Sequence, residues 1–157
     1  IIEQANTQGL SIPILASDTW DSNVVLAAAK GTNVKIYVTT FFVEGSQEKQ
    51  VVDFVNGFRN YINTNTTAKT NNGGNDEISA VSAMGFDVYY VCLEALKLAN
   101  STKGSDIKKV LPNISYKGVS GLIEFDENGD AKRDVAYVKQ VDTQTGKWKF
   151  IAVQSVK

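Results

Sequence analysis

The apolar positions along this chain change period several times, and each change marks an element. Ile1, Ile2 and Ala5, followed by Gly9, read as the last turns of a helix closed by a glycine. Ile12 to Ala16 is a short run apolar on both sides, as in a buried parallel strand, and it ends in the polar loop Ser17-Asp18-Thr19-Trp20-Asp21-Ser22. Ser22 then caps a helix over Asn23 to Lys30, which Gly31 stops. Val34 to Val43 is β-branched or aromatic except at Lys35, predicting a second buried strand. After the turn at Glu44-Gly45-Ser46, the residues Val51, Phe54, Val55, Phe58, Tyr61 and Ile62 recur at three- and four-residue spacing, one face of an amphipathic helix capped by Ser46.

Asn63 to Asn75 holds only Asn, Thr, Gly, Lys and Ala, which predicts a mobile surface loop. From Glu77 to Ala99, helical spacing returns in Val81, Met84, Val88, Val91, Cys92, Leu96 and Ala99, with a stop at Lys103-Gly104 and a short helix over Asp106 to Leu111. Strand texture follows: Gly121 to Phe125, a turn at Asp126 to Asp130, Val135 to Val141, a turn at Thr143 to Gly146, then Trp148 to Val153. The predicted class is α/β, with Rossmann-like parallel sheet layers flanked by helices and a C-terminal antiparallel β-meander.

Composition narrows the function. The 157 residues suit one core of ordinary size. Sixteen Lys and Arg against 17 Asp and Glu, interspersed, leave no field to attract nucleic acid. No apolar run reaches the ~18 residues that a membrane helix needs. Histidine is absent, which removes Ser-His and Cys-His nucleophile activation and imidazole acid-base catalysis. An enzyme is therefore not expected. The first nine residues carry no signal-peptide pattern, and the opening in mid-helix suggests a fragment of a longer chain.

Candidate chemistry is sparse. Asp126-x-Asn128-x-Asp130 has calcium-loop spacing, but its glycine is Gly129 and position twelve is Tyr137, so a hairpin turn is the better reading. Asp18 and Asp21 could form a carboxylate pair, yet one loop fixes no separation between them. Cys92 reads as an inert core thiol. The loop Asp18 to Ser22, at the carboxyl end of a strand, is where α/β proteins place ligands, and an acid beside an indole suits a cation. The residues alone leave open whether Asp18 binds a cation or merely caps a turn while Trp20 fills a rim.

Four ordered motifs add a resemblance: Pro13-Ile-Leu-Ala-Ser-Asp18-Thr-Trp-Asp-Ser22, Val38-Thr-Thr-Phe-Phe42, Ala83-Met-Gly-Phe-Asp-Val-Tyr89 and Gly118-Val-Ser-Gly-Leu-Ile-Glu-Phe-Asp-Glu-Asn-Gly129-Asp. In order and spacing they resemble the second half of type I periplasmic binding proteins, nearest to the branched-chain amino-acid receptors of ABC importers. The resemblance implies two lobes that close on a solute. It puts Asp18 at the acid that meets the α-ammonium, Thr19 and Trp20 flanking the ligand, Phe86 lining the cleft, Asp87 in the same motif and Phe42 near the hinge. It also implies a division into 1–40 of the second lobe, 41–117 of the first and 118–157 returning to the second, with the first half of the receptor missing.

Further expectations follow from the family. They are an amino-acid-like ligand, importer membrane subunits as partners, no cofactor or metal, and a periplasmic or extracellular location, lipid-anchored through a missing N-terminus. Unpartnered faces could drive an intertwined homodimer. A sensing or interaction domain coupled to a signalling partner is the alternative within the same fold. Ligand identity stays open, since pocket side chains from both lobes set it.

Overall fold

The structure is a computed structural model, and it describes residues 1–155. Helix α1 (Ile2–Thr7) leads through Gly9 into strand β1 (Ile14–Ala16), and a 3-10 turn (Asp18–Trp20) precedes α2 (Asn23–Ala29). The Ser22 cap is present, its hydroxyl accepting from Val25 N–H at 3.4 Å. Strand β2 (Ile36–Thr40) is followed by α3 (Lys49–Thr64), α4 (Thr66–Asn71), α5 (Ala80–Ala99) and α6 (Gly104–Val110). A second 3-10 turn (Leu111–Asn113) enters β3 (Ser115–Gly118), β4 (Gly121–Phe125), β5 (Ala131–Lys132), β6 (Val135–Asp142) and β7 (Lys147–Ser155). Among the described residues no helix is long and apolar enough to cross a membrane.

Two sheets form, a mixed one of order β1-β2-β6-β7 and an antiparallel one of order β3-β4-β5. In the mixed sheet β1 and β2 are parallel, and β6 returns antiparallel to β2 with Val38 opposite Lys139. The α/β class expected from the pattern holds, but the C-terminal antiparallel run is shared between the two sheets. The break falls at Arg133-Asp134, between β5 and β6. The reason lies in packing. Ile123 of β4 joins Ile114, Val91 and Ala95 in a cluster under α5, whereas Val141 of β6 joins Ile2, Leu26, Ala29 and Ile36 under α1 and α2. Strands β3 to β5 therefore pack with the helices, and the chain rejoins the mixed sheet at β6.

Two further expectations change. Asn63 to Asn75 is ordered around α4 because its polar side chains bond to backbone. Asn65 accepts from Ala68 N–H at 2.9 Å, Asn72 donates to the carbonyls of Asn75 and Glu77, and Asn23 of α2 donates to the Asn72 carbonyl at 2.6 Å. In α5 the buried stripe is Ala80, Ala83, Asp87, Val91 and Ala95, one residue round from much of the expected face. On that side Ala80 and Ala83 meet Phe54 and Val55 of α3, and Val91 and Ala95 meet Ile123 of β4. Val81, Val88 and Tyr89 face outward instead, and Cys92, expected in the core, is exposed. A helix apolar all round cannot tell from its own sequence which side is covered.

Candidate functional site

The Asp18 loop begins at the carboxyl end of β1 as a tight turn: Trp20 N–H donates to Ser17 C=O at 3.1 Å and Asp21 N–H to Asp18 C=O at 2.9 Å. Its two acids have opposite fates. Asp18 is half-buried and Thr19 exposed, with the Thr19 hydroxyl 3.0 Å from that of Ser17. Asp21 is 1% exposed. Its Oδ2 accepts from the Thr40 hydroxyl at 2.6 Å, the Lys139 ammonium at 3.0 Å and the Ala80 N–H at 3.3 Å, while Oδ1 has no partner among the described residues. Lys139 is itself buried and also sits over the Phe42 ring, 5.9 Å from its centroid. The buried carboxylate of this loop is thus Asp21, and its cation comes from β6 of the same chain.

Three residues expected at a ligand also have packing or bonding partners of their own. Trp20 is half-buried: it packs on the α1–α2 cluster beside Val25 and Ala28, and its remaining surface lines a shallow pocket with Ile1, Ile2 and Val24. Phe42 is buried edge-on against Phe54, with centroids 5.8 Å apart, in the core between β2 and α3. Asp87 is fully buried, and its two oxygens accept from Val119 N–H at 2.7 Å and Ser120 N–H at 2.8 Å. A Cβ built at Gly118 would overlap that carboxylate, so glycine is required there. Asp87 thereby ties α5 to the β3–β4 turn.

Asp18, Thr19 and Phe86 keep surface for a ligand. Phe86 is 37% exposed and continues an aromatic row, 4.8 Å from Phe54 and 5.0 Å from Tyr90 by ring centroids. Nearby on the Asp87 turn, Arg133 donates to the Ser120 carbonyl at 2.7 Å and lies over Phe41 at 5.5 Å from its centroid. Burial pulls the Arg133 guanidinium below its ordinary value, and the Asp87 charge pulls it back up. The arrangement can hold a cation at Asp18 and apolar matter on the aromatic row.

Sequence reasoning missed the Asp21–Lys139 pair. One signal was available: Tyr137, Lys139 and Val141 alternate in strand phase, so a lysine falls on the apolar face of β6. The Asp87 contact left a fainter sign in Gly118-Val-Ser-Gly121, where two glycines allow a tight turn around a carboxylate.

Comparison with known proteins places this architecture. The family described as the receptor family ligand binding region matches residues 1–144. Among solved structures, the leucine-binding protein LivK of Thermotoga maritima is 28% identical with a TM-score of 0.71, covering 98% of this chain and 40% of its own. LivJ of Streptococcus pneumoniae, solved with isoleucine, is 18% identical with a TM-score of 0.71, covering 99% of this chain and 40% of its own. A substrate-binding protein from Desulfitobacterium hafniense in complex with Leu is 22% identical with a TM-score of 0.68, covering 96% and 38%. No curated protein matches. This chain spans about 40% of the length of the LivK and LivJ structures it matches. With the family match running over 144 of its residues and these folds superposing on nearly all of it, the chain belongs to the receptor family ligand binding region, in the type I periplasmic binding protein fold.

Proposed function

We propose that this chain supplies the ammonium-side wall of a solute site in an extracytoplasmic receptor of an ABC importer, and that the solute is an amino acid of branched-chain type. The observation that carries the reading is the division of labour within one loop. Asp21 spends its carboxylate on Thr40, Lys139 and the α5 N-terminus, which anchors the loop, while no side-chain hydrogen bond within the described residues engages the carboxylate of Asp18. An acid held half-buried at the carboxyl end of β1 is matched by an ammonium, and the aromatic row ending at Phe86 suits an apolar side chain. The leucine-binding protein LivK and the neighbours solved with Leu or isoleucine support the same class of ligand.

Two bodies meet at Asp21: the mixed sheet with α1 and α2, and the helical body with β3 to β5. We read them as pieces of two lobes, with Asp18 on one and Phe86 on the other, so that closure brings acid and ring together. The exposed apolar side of α5, with Val81, Val88 and Tyr89, is then a surface for the remainder of a receptor. The reading carries no catalytic step and no cofactor.

The test is calorimetry on the full-length receptor. Asp18→Ala abolishes amino-acid binding at accessible concentrations, with a loss of at least about a hundredfold, because the ligand ammonium loses its counter-charge in a water-poor site. Unchanged affinity overturns the assignment of Asp18.

A further inference from the structure

A cavity of about 520 Å³ lies between the β6–β7 hairpin and the segment that joins β2 to α3, and neither Asp18, Thr19 nor Phe86 lines it. Small-molecule sites have volumes of about 300–1,000 Å³. Its floor is aromatic, made by Tyr137 of β6 with Trp148 and Phe150 of β7. A bulge builds that floor. Lys139 pairs with Phe150 but Val138 pairs with Ala152, so Ile151 is the extra residue, and Val153 rather than Ala152 joins Phe150 on the cavity side.

The inner wall is the Lys139 side chain, which is 4% exposed. An ammonium has three donors, and among the described residues the only hydrogen-bond acceptor of this one is Asp21 Oδ2. The neighbouring Oδ1 of Asp21 is a buried acceptor without a donor, so the pair is incompletely satisfied on both sides. A buried cation with unspent donors beside an aromatic floor selects an anionic oxygen. The remaining charges at the cavity form Arg59–Glu44 and Lys147–Glu77 pairs, which cancel one another. One carboxylate therefore matches the free donors of Lys139, whereas a di- or trianion such as phosphate brings charge that nothing at the cavity balances.

We propose that this cavity is a second ligand site, taking a small monocarboxylate whose apolar or aromatic body lies on Tyr137, Trp148 and Phe150 and whose carboxylate meets Lys139. The site shares no lining residue with the Asp18 cleft, and its evidence does not rest on that reading.

The experiment uses the 157-residue chain labelled with ¹⁵N and follows the indole N–H signals of its two tryptophans. Phenylacetate and 4-methylpentanoate are titrated, with 4-methylpentanamide as the neutral counterpart and leucine as the zwitterion. The acids are expected to move the Trp148 signal and leave Trp20 in place, with the amide at least about tenfold weaker. Leucine moving Trp148 as well identifies amino acids among the occupants, and leucine failing where the acids bind restricts the site to simple carboxylates. Phe150→Ala, at a half-exposed position that the fold tolerates, weakens the acids by about fivefold. Asp21→Asn/Lys139→Gln, which leaves no buried charge without a partner, removes the preference for acid over amide. A Trp148 signal that no acid moves at millimolar concentration, or equal affinity for acid and amide, overturns the proposal. Because Trp148 lies outside the Asp18 loop, either result leaves the cleft assignment to its own calorimetric test.

Discussion

The junction at Asp21 and the junction at Asp87 solve the same problem in different ways. Both put an aspartate out of water to join distant segments, with Asp21 1% and Asp87 0% exposed. Asp87 uses only backbone: two N–H groups of one turn, one per oxygen. Asp21 uses an ammonium, a hydroxyl and a helix N–H, all on one oxygen. The first is a fixed fastening, since backbone donors cannot leave without unfolding the turn. The second depends on a lysine side chain brought from β6, 118 residues away. If the proposed receptor closes on a solute, the first kind suits a part that stays rigid and the second a seam between segments.

The largest effect expected from breaking this contrast is at Lys139. Lys139→Met leaves the Asp21 carboxylate buried without its cation and costs about 3–5 kcal/mol. In the double variant Asp21→Leu/Lys139→Met most of that loss is recovered, because an apolar pair of similar volume replaces a buried ion pair. Urea denaturation of both variants measures the difference, and equal destabilisation would show that the ion pair itself is not the source. At the other junction, Gly118→Ala drives a methyl into the Asp87 carboxylate and costs about 1–3 kcal/mol by the same assay. A neutral Gly118→Ala would mean that the turn can move off Asp87, against a fixed fastening.

The smallest effect concerns pH and separates burial from bonding. Asp126 and Asp142 repeat the Asp87 arrangement at the surface. Turn N–H groups of Asp130 and Asn128 hold Asp126 below the usual carboxylate range, and those of Thr145 and Gln144 do so for Asp142. A folded pKa below the unfolded one adds stability that is fully present above the ordinary carboxylate value of 3.8 and is lost as pH falls through the lowered values. The Asp126→Asn/Asp142→Asn variant is expected to show a shallower loss of stability from pH 5 toward pH 2 than the parent, by an amount well below the Lys139 effect. An unchanged acid limb would show that these two turn aspartates do not carry the acid sensitivity.

Much of the fold is written in local pattern. The strand at Ile14–Ala16, the Ser22 cap, the stripe of α3 and the hairpin turn at Asp126 all follow from neighbours within a few residues. The Asx turn shows why. Asp126 Oδ1 accepts from Asn128 and Asp130 N–H, each at 2.9 Å, and both lie within four residues. Less of the site was legible. Trp20 carries the same aromatic signature whether it faces a solute or a core, and its packing against α1 and α2 is invisible from its neighbours in sequence. Phe42 stands in a strand-like run that says nothing of Phe54 beneath it. The α5 stripe was misplaced because two sides of that helix are apolar, and only the approach of β3 and β4 distinguishes them.

The sequence by itself determined the kinds of element, their order, and a short roster of acids and aromatics that could meet a solute. Only the tertiary structure decided which acid is spent and which is left: Asp21 takes its cation from Lys139, 118 residues away, and Asp87 its amides from a turn 32 and 33 residues on. Local preference acts over a few residues, whereas the burial of a charge is settled by whatever long-range packing brings to it.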